Sequence, residues 1–365
     1  MKLTTAGESH GKGLVALIEG LPYALPIDED EINEELLFRK KGYGRGERQA
    51  LEPDHAEILT GVRHGLTLAS PLTIFVKNNC YEDGGEDVNE IYSLRPGHAD
   101  YAGIKKYGYP DASYMAERAS ARETVARVAA GAVFKKYLYL LGVEIAGYVV
   151  SVGTAEDKNK YAFTEIRNAK YTRTGMLDVK SEERAVFEID TAKRKDETLG
   201  GVVEVRVKGL KAGFGNPMRY EEKLDARLSG NVMSIQACKG VEIGDGFSLA
   251  IKQGKETLDE LYPIESGSLR KTNHQGGIEG GMSNGEEIVL RAAMKPLPTQ
   301  ANGIKTVDIR TGKESEADSV RSDTCAVFAF ERVVESAVAE TVAKAVCERL
   351  GGDKMDEVKK RYEAL

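Results

Sequence analysis

Tryptophan is missing from the 365 residues of this sequence, and cysteine occurs only 4 times. The absence of tryptophan says nothing about function. The cysteines, Cys80, Cys238, Cys325 and Cys347, are scattered and form no Cys-x-x-Cys pair. This pattern argues against a zinc site and against a disulfide framework, so we expect reduced thiols, no metal and a cytoplasmic location.

Long apolar runs and an excess of positive charge are lacking as well. The run "LVALI" is far too short to cross a membrane, and no leader pattern precedes it. The net charge of −7 argues against nucleic acid as the main partner. With 41% hydrophobic and 30% charged residues, the chain has the composition of a soluble protein that can bury a core.

Helical patterns alternate with strand-like segments along the whole chain. Residues 27–42 predict a helix capped by Asp28. Residues 112–142 predict a long helix that only Gly131 interrupts, with Gly142 just after its end, and a second long helix spans about 324–350. Strands are predicted in residues 13–22, 57–62, 71–77, 143–153, 201–209, 241–252 and 286–295, and Gly-rich turns favour antiparallel pairing.

The organisation indicates one domain, 1–365, because no Pro/Ser-rich linker divides the chain. Each long helix has an arginine and a serine near its start. This similarity suggests a duplicated architecture of two halves, although long helices resemble each other easily.

The stretch "GESHGKG", residues 7–13, collects a carboxylate, a hydroxyl, an imidazole and an ammonium between glycines. It is not a P-loop, because Ala6 and Gly13 stand where that motif needs Gly and Ser/Thr. His10 is either a solvated or capping residue of a turn, or a catalytic group.

Arginines recur in Gly-rich surroundings at Arg39, Arg45 and Arg48. Guanidinium groups bind carboxylate and phosphate in bidentate fashion, so the loop is either an anion clamp or a mobile basic surface loop. Arg118 and Arg122, in "ERASARETVARV", are four residues apart and would share a helix face. Glu123 and Arg127 would form an ordinary exposed pair.

Three further stretches carry polar groups on turns. In "RPGHAD", His98 could exchange a proton near neutral pH, or the stretch simply begins a helix with Asp100 in its first turn. "NHQGGIEGGMSNG" allows close backbone approach to a ligand, and Lys295 follows it with a positive charge. "RSDTCAV" is either an anion site at a helix start or a plain N-cap.

Together these stretches resemble the chorismate synthase family over most of the chain. "GESHGKGLVALIEGLP", "ERASARETVARVAAGAV" and "RSDTCAV" are similar to its three signatures, and "RPGHAD", "GGIEGGMSNG" and "KPLPT" follow in the expected order. Two stretches depart from the family pattern. "FAFERVVE" brings Phe328, Phe330 and Arg332 where small apolar residues are usual, and Gln236 with Ala237 replace commoner residues.

The resemblance implies an anti 1,4-elimination that converts 5-enolpyruvylshikimate 3-phosphate into chorismate and phosphate. It implies reduced FMN (FMNH2) as cofactor without net redox change. His10 would be the general acid for the leaving phosphate, His98 would protonate or stabilise the reduced flavin, and Asp323 would assist proton removal. The implied fold is α+β, a β-α-β sandwich with long central helices between antiparallel sheets, assembled as a homotetramer.

The resemblance also carries over the binding residues. The implied substrate-binding residues are Ser9, Arg39, Arg45, Arg48, Arg118 and Arg321. The implied cofactor-binding residues are Arg118, Ala119, Ser120, Gln236, Ala237, Gly280, Lys295, Pro296, Leu297, Pro298, Thr299 and Arg321. No dinucleotide fingerprint is visible, so NADPH is expected at most as an indirect reductant beside an external source of electrons.

Two alternative functions remain open from the sequence. One is a flavin-binding homologue without elimination activity, which the "FAFERVVE" departure permits. The other, reached from the residues alone, is a phosphohydrolase that uses arginine and histidine and needs no flavin. Phosphate release with and without reduced flavin distinguishes the three.

Overall fold

The computed structural model describes residues 1–46, 54–79, 81, 90–169, 172–263, 269–298, 304–317 and 323–365. The helices, in chain order, are α1 (Glu29–Lys40), α2 (Asp100–Tyr107), α3 (Ser113–Ala119), α4 (Thr124–Tyr139), α5 (Phe163–Arg167), α6 (Val179–Arg194), α7 (Leu224–Met233), α8 (Val327–Leu350) and α9 (Met355–Glu363). The strands are β1 (Lys2–Gly7), β2 (Gly13–Glu19), β3 (Ala56–Thr60), β4 (Val62–Arg63), β5 (Leu66–Thr67), β6 (Leu72–Lys77), β7 (Glu144–Val152), β8 (Ala155–Glu156), β9 (Gly201–Lys208), β10 (Cys238–Ile243), β11 (Ile278–Glu279), β12 (Met282–Ser283), β13 (Ile288–Met294), β14 (Lys305–Val307) and β15 (Glu314–Glu316).

Two larger antiparallel sheets confirm the predicted strand pairing. The first has the order β1-β2-β6-β3 and the second the order β10-β13-β9-β7-β8. Numbered within each half, the four long strands of both sheets follow the same spatial order, first, second, fourth, third. In both halves a helix follows the second strand and another follows the fourth, which supports the two-half interpretation.

The helices α4 and α8 pack against each other and against the sheets. α4 contacts β2 and β6 of the first sheet, and α8 contacts β7 and β9 of the second. Side chains between them are fully buried, among them Val125, Phe134, Val334 and Val338. Each of the two larger sheets is therefore covered on one face by one of these two helices.

The long helix predicted for residues 112–142 is interrupted at Ser120, and the predicted interruption at Gly131 is wrong. Ser120 is extended, with φ −64° and ψ 141°, and its hydroxyl accepts a hydrogen bond from the backbone N–H of Arg122. A capping serine thus ends α3 and begins a new helical segment. Gly131 lies inside α4, where a Cβ would be 2.4 Å from Cβ of Ser336 on α8.

Other predicted boundaries need smaller corrections. Asp28 caps α1 as predicted, accepting from the N–H of Asp30 at 2.9 Å. α8 begins at Val327, three residues after the predicted start. The strand predicted to reach residue 252 ends at Ile243, where two glycines with positive φ turn the chain into a short 3₁₀ helix, Gly246–Ile251.

A cluster of charged side chains is buried where α1, α4 and α8 meet. The ammonium of Lys135 lies 2.9 Å from Glu35 and 2.5 Å from Glu335, and Arg332 pairs with both Glu331 and Glu335. Burial alone raises the pKa of Glu335, but the charges of Arg332 and Lys135 outweigh it and lower that pKa to about 2. Burial raises the pKa of Glu331 well above its ordinary value. None of the described helices is long and apolar enough to cross a membrane.

Candidate active site

The turn of "GESHGKG" joins β1 to β2. Gly7 pairs with Leu14, and residues 8–12 form the turn. Gly7 has φ +104°, and a Cβ there would lie 2.3 Å from the carbonyl oxygen of Gly13. The side-chain amide of Asn78, just after β6, donates to the carbonyl oxygens of Ser9 and Gly11 at 3.3 and 3.0 Å. A close backbone approach therefore requires glycine, and Asn78 holds the turn in place.

Glu117 on α3 fixes the orientation of His10. One carboxylate oxygen lies 2.6 Å from His10 Nδ1, and the other accepts from the backbone N–H of His10 at 2.9 Å. The carbonyl of Glu117 also accepts from the N–H of Ser9. The His10 side chain is 47% exposed. With Nδ1 engaged, Nε2 is the ring nitrogen that remains for a ligand.

The segment after α3 connects this turn to a second part of the chain. The hydroxyls of Ser9 and Ser120 lie 3.2 Å apart, and Arg118 donates to the carbonyl of Gly7 at 2.8 Å. Glu123 accepts from the hydroxyl of Thr5 at 2.8 Å and from the amide of Gln236 at 3.5 Å. Ala119 ends α3 between these residues.

Two pairings expected in this segment are wrong. Arg118 and Arg122 do not share a helix face, because α3 ends between them and they bond to different partners. Arg127 donates to Asn231 and Ser234 on and after α7, not to Glu123. The end of α3 separates the two arginines, and partners on and after α7 bind Arg127.

A buried carboxylate, Asp54, lies between two of the arginines. Arg122 donates to it at 2.8 Å and Arg39 at 3.5 Å. Arg39 also donates to the hydroxyl of Thr124 and the carbonyl of Ala121, both at 3.0 Å. Burial lowers the pKa of Arg39 to about 10, still well above neutral. The cluster therefore contains two cations and one anion.

Arg45 and Asp323 form a second pair beside this cluster. Their side chains approach to 3.0 Å, and the other oxygen of Asp323 accepts from the N–H of Gly46 at 2.6 Å. The carbonyl of Gly44 accepts from the N–H of Thr324 at 2.8 Å, so the arginine loop is bound to the segment that precedes α8. Arg45 Nε is buried and has no hydrogen-bond partner among the described residues. Arg48 and Arg321 lie outside the described residues.

His98 lies on the turn that begins α2. Its Nδ1 is 2.5 Å from Oδ1 of Asp100, and Arg95 donates to both oxygens of the same carboxylate. The carbonyl of Gly97 accepts from the ammonium of Lys295 at 2.6 Å. Asp100 is the first residue of α2, so the helix-start interpretation is confirmed, whereas proton exchange by His98 stays a prediction.

Lys295 joins His98's turn to Gln236 and Ala237. Its backbone N–H donates to the carbonyl of Ala237 at 3.0 Å, and Ala237 has φ +65°. Oε1 of Gln236 is buried without a hydrogen-bond partner in the part of the chain that is described. The remaining residues of the run are Pro296, Leu297, whose carbonyl accepts from Thr198 at 2.8 Å, Pro298 and Thr299, the last lying outside the described ranges.

Four successive contacts thus connect the two histidine turns: Ser9 with Ser120, Glu123 with Gln236, Ala237 with Lys295, and Lys295 with Gly97. The stretches that carry His10, Ser120, Gln236, Lys295 and His98 therefore lie in one continuous region. Arg39 joins this region by its hydrogen bond to Ala121, the residue after Ser120.

Comparison with known proteins shows the family to which the whole chain is similar. The family model for chorismate synthase matches residues 1–347. The chain belongs to the chorismate synthase family. A relative named chorismate synthase in Mycolicibacterium smegmatis is 45% identical over 98% of this chain and 94% of its own length. One in Listeria innocua is 44% identical over 100% and 98%.

A solved structure agrees with these relatives. A crystal structure described as chorismate synthase superposes with a TM-score of 0.82 at 40% identity, covering 100% of this chain and 96% of the other. Membership in the chorismate synthase family makes the chain a lyase, with a role in the shikimate pathway and aromatic biosynthesis.

Gly280, another expected cofactor-binding residue, takes no part in the four contacts and lies in the turn between β11 and β12. Ala237 and Lys295 adjoin one end of β10, whereas the loop before β11 bonds at the other end through Gly244 and Val289. β10 has 6 residues, which at about 3.3 Å each span about 20 Å. The assignment of Gly280, with φ +59°, to the same cofactor site stays a prediction.

Sequence reasoning missed the acidic partners of this candidate site. Proximity in sequence could have indicated only the pair of His98 and Asp100, two residues apart. Glu117 and Glu123 meet His10 and Gln236 across 107 and 113 residues. Asp54 carries no local signal, because Arg39 and Arg122 are 15 and 68 residues away.

The two phenylalanines that depart from the family pattern are buried in the core of the protein. Phe328 and Phe330 are 7% and 5% exposed. A Cβ on Gly42, at the start of the arginine loop, would lie 3.1 Å from Cβ of Phe328. Phe328 therefore packs beneath the arginine loop of the site.

Proposed function

We propose that this chain converts 5-enolpyruvylshikimate 3-phosphate into chorismate and phosphate by an anti 1,4-elimination. The observation that carries the proposal is the run of four contacts between the His10 turn and the His98 turn. It brings two histidines, each with a carboxylate on Nδ1, to the same region as several arginines.

The charge balance of this region suits an anionic substrate with two carboxylates and a phosphate. Arg39 and Arg122 share the single charge of Asp54, so one positive charge is left over. Arg118 bonds to a carbonyl and a hydroxyl and keeps its full charge. With Arg45, and with Arg48 and Arg321 as the resemblance implies, these groups bind the substrate's anions.

His10 acts as general acid for the leaving phosphate. Glu117 accepts at Nδ1 and stabilises the imidazolium, so Nε2–H donates to a phosphate oxygen. The hydroxyl of Ser9 binds the same group. Asp323, held by Arg45 and the N–H of Gly46, assists removal of the ring proton.

The residues present fit a reduced flavin. Oε1 of Gln236 and Nε of Arg45 are buried polar atoms without a described partner, which a ligand could satisfy. Gly97 has φ +76°, and a Cβ at this position would lie 3.3 Å from the ammonium of Lys295, so the absence of a side chain leaves space beside that ammonium. Arg118, Ala119, Ser120, Ala237, Gly280, Arg321 and the run Lys295, Pro296, Leu297, Pro298, Thr299 would hold the group with Gln236.

Reduced FMN, when bound, supplies electron density transiently to the breaking C–O bond and recovers it, so no net oxidation results. His98 holds a proton beside this group. An external reductant maintains the reduced state, with NADPH at most an indirect donor.

Anaerobic turnover tests the function. With dithionite-reduced FMN in amounts far below substrate, chorismate and phosphate are expected in equal amounts over many turnovers per flavin. One flavin oxidised per product would overturn the redox-neutral reaction. Phosphate release without flavin would indicate the hydrolase, and flavin binding without product the inactive homologue. The same assay with NADPH and FMN alone tests the external reductant.

We also propose a cytoplasmic homotetramer of single-domain subunits, 1–365, in which α4 and α8 form the middle layer of a β-α-β sandwich. The layering is supported by their contacts to opposite sheets. Large apolar side chains on and around the second sheet support the assembly, since Met218, Phe247 and Ile251 are 86%, 82% and 89% exposed. Light scattering coupled to size exclusion should give four times 39.8 kDa.

A further inference from the structure

Asp100 receives four hydrogen bonds although its side chain is completely buried. The backbone N–H, Nε and Nη2 of Arg95 donate at 2.9, 2.9 and 2.7 Å, and His98 Nδ1 lies at 2.5 Å. The relative exposure of the residue is 0%. Arg95 thus bonds to both carboxylate oxygens and the imidazole contacts Oδ1 as well, which leaves the carboxylate little freedom to rotate.

The ionisation of Asp100 decides which nitrogen of His98 carries the proton. Burial raises the pKa of Asp100, but the hydrogen bonds from His98 and Arg95 outweigh it and hold that pKa well below its ordinary value. An ionised carboxylate only accepts hydrogen bonds. His98 must therefore donate from Nδ1, and in the neutral ring Nε2 is the nitrogen with the free lone pair.

We propose that Asp100, braced by Arg95, is a positioning residue that holds His98 in the Nδ1–H tautomer and presents Nε2 to the site. The inference rests on the proposed function of His98 and extends it to the residues behind the ring. Arg95 fixes the carboxylate in two directions, through its backbone and its guanidinium. The turn itself is held separately, by Lys295 at the carbonyl of Gly97.

The arrangement differs from that of His10, which gives the test an internal control. Glu117 bonds to His10 through Nδ1 and the backbone N–H, its side chain is 19% exposed, and no described arginine bonds to it. Asp100 is closed to solvent and shares its charge with Arg95. Replacing one carboxylate should change only the histidine that it contacts.

The tautomer of His98 can be measured in the protein without any flavin. The chain has 5 histidines, and ¹⁵N-histidine spectra at a pH where the rings are neutral distinguish protonated from unprotonated nitrogens. Subtracting the spectrum of His98→Gln assigns the His98 signals. We expect Nδ1 protonated and Nε2 unprotonated in the wild type. Nε2–H as the main wild-type tautomer would overturn the proposal, and this arm needs no Asp100 variant.

Asp100→Asn should lose the preference while Glu117→Gln leaves the His98 signals unchanged. A hydrogen bond to a charged group corresponds to about 10- to 150-fold in such a ratio, so the minor tautomer should rise by at least about 10-fold. Arg95→Gln should give a smaller change in the same direction, because the carboxylate remains. An unchanged tautomer ratio in folded Asp100→Asn would also overturn the proposal.

Turnover then separates this inference from the function on which it rests. With reduced FMN, Asp100→Asn should lower kcat by about 10- to 100-fold with little change in KM, because Asp100 reaches the site only through His98. Full activity of His98→Gln would reject the role of His98 but leave the tautomer result standing. A raised KM with unchanged kcat would instead contradict the positioning role.

Discussion

Gly131 offers a test of the packing between α4 and α8. In a helix interior, Gly→Ala should stabilise by about 1 kcal/mol, because alanine restricts the unfolded chain and favours the helix. At Gly131 the new Cβ would lie 2.4 Å from both Cβ and Oγ of Ser336, and 2.9 Å from its Cα. Carbon atoms pack best at about 3.5–4.0 Å, so the helices must separate.

The clash should outweigh the propensity gain. Overpacking a core typically costs about 1–3 kcal/mol. Cα and Cβ of Ser336 cannot rotate away, so the upper end of that range applies. Gly131→Ala should therefore destabilise by about 2 kcal/mol after about 1 kcal/mol of propensity gain is subtracted. Urea unfolding followed by far-UV circular dichroism measures this, since the chain lacks tryptophan for fluorescence.

Gly230 on α7 is the matched control. It also lies inside a helix, but a Cβ there would meet nothing within 4 Å. Gly230→Ala should stabilise by about 1 kcal/mol. Adding Ser336→Gly to Gly131→Ala should recover part of the loss, whereas Ser336→Ala keeps the clashing Cβ and should not. Equal stability of the Gly131→Ala and Gly230→Ala proteins would refute the close-contact argument.

Three further predictions concern charged groups. Arg45→Ala should weaken substrate binding about 10- to 150-fold, because a charge-assisted contact is lost; unchanged affinity in a titration would limit Arg45 to its structural pair with Asp323. Glu117→Gln should lower kcat about 10-fold or more, because Glu117 orients His10, the proposed acid for the leaving phosphate. The spectrum of the bound flavin should stay close to wild type. Stopped-flow absorbance and phosphate release measure both, and a changed flavin spectrum would contradict the prediction. Glu335→Gln should reduce the free energy of unfolding at pH 7 by about 3 kcal/mol, since two buried cations lose their shared anion, whereas Glu331→Gln should have a smaller effect because burial raises the pKa of Glu331 and favours its uncharged form. The Glu335→Gln deficit should shrink as the pH falls from about 4 toward 2, where wild-type Glu335 becomes protonated; denaturation curves giving equal deficits for both variants would contradict this assignment.

Local sequence patterns were enough to predict most secondary-structure elements and the candidate groups. The capped helix α1, the strands β2, β7, β9 and β13 and most of α8 follow from periodicity and capping, which depend on residues a few positions apart. The glycine-framed turn at His10 and the Pro-Gly turn at His98 were equally visible, because turn chemistry is local.

Which of these groups lie close together depends on the tertiary fold and could not be predicted. Periodicity would continue the helix through Ser120, but the helix ends there. Gly131 does not interrupt its helix; glycine is required there because a side chain would collide with Ser336 on α8. Glu117 meets His10 across 107 residues, and Lys295 meets Gly97 across 198. Local propensity contains no information about such contacts, since they arise only when the packing of distant elements brings these loops to the same place.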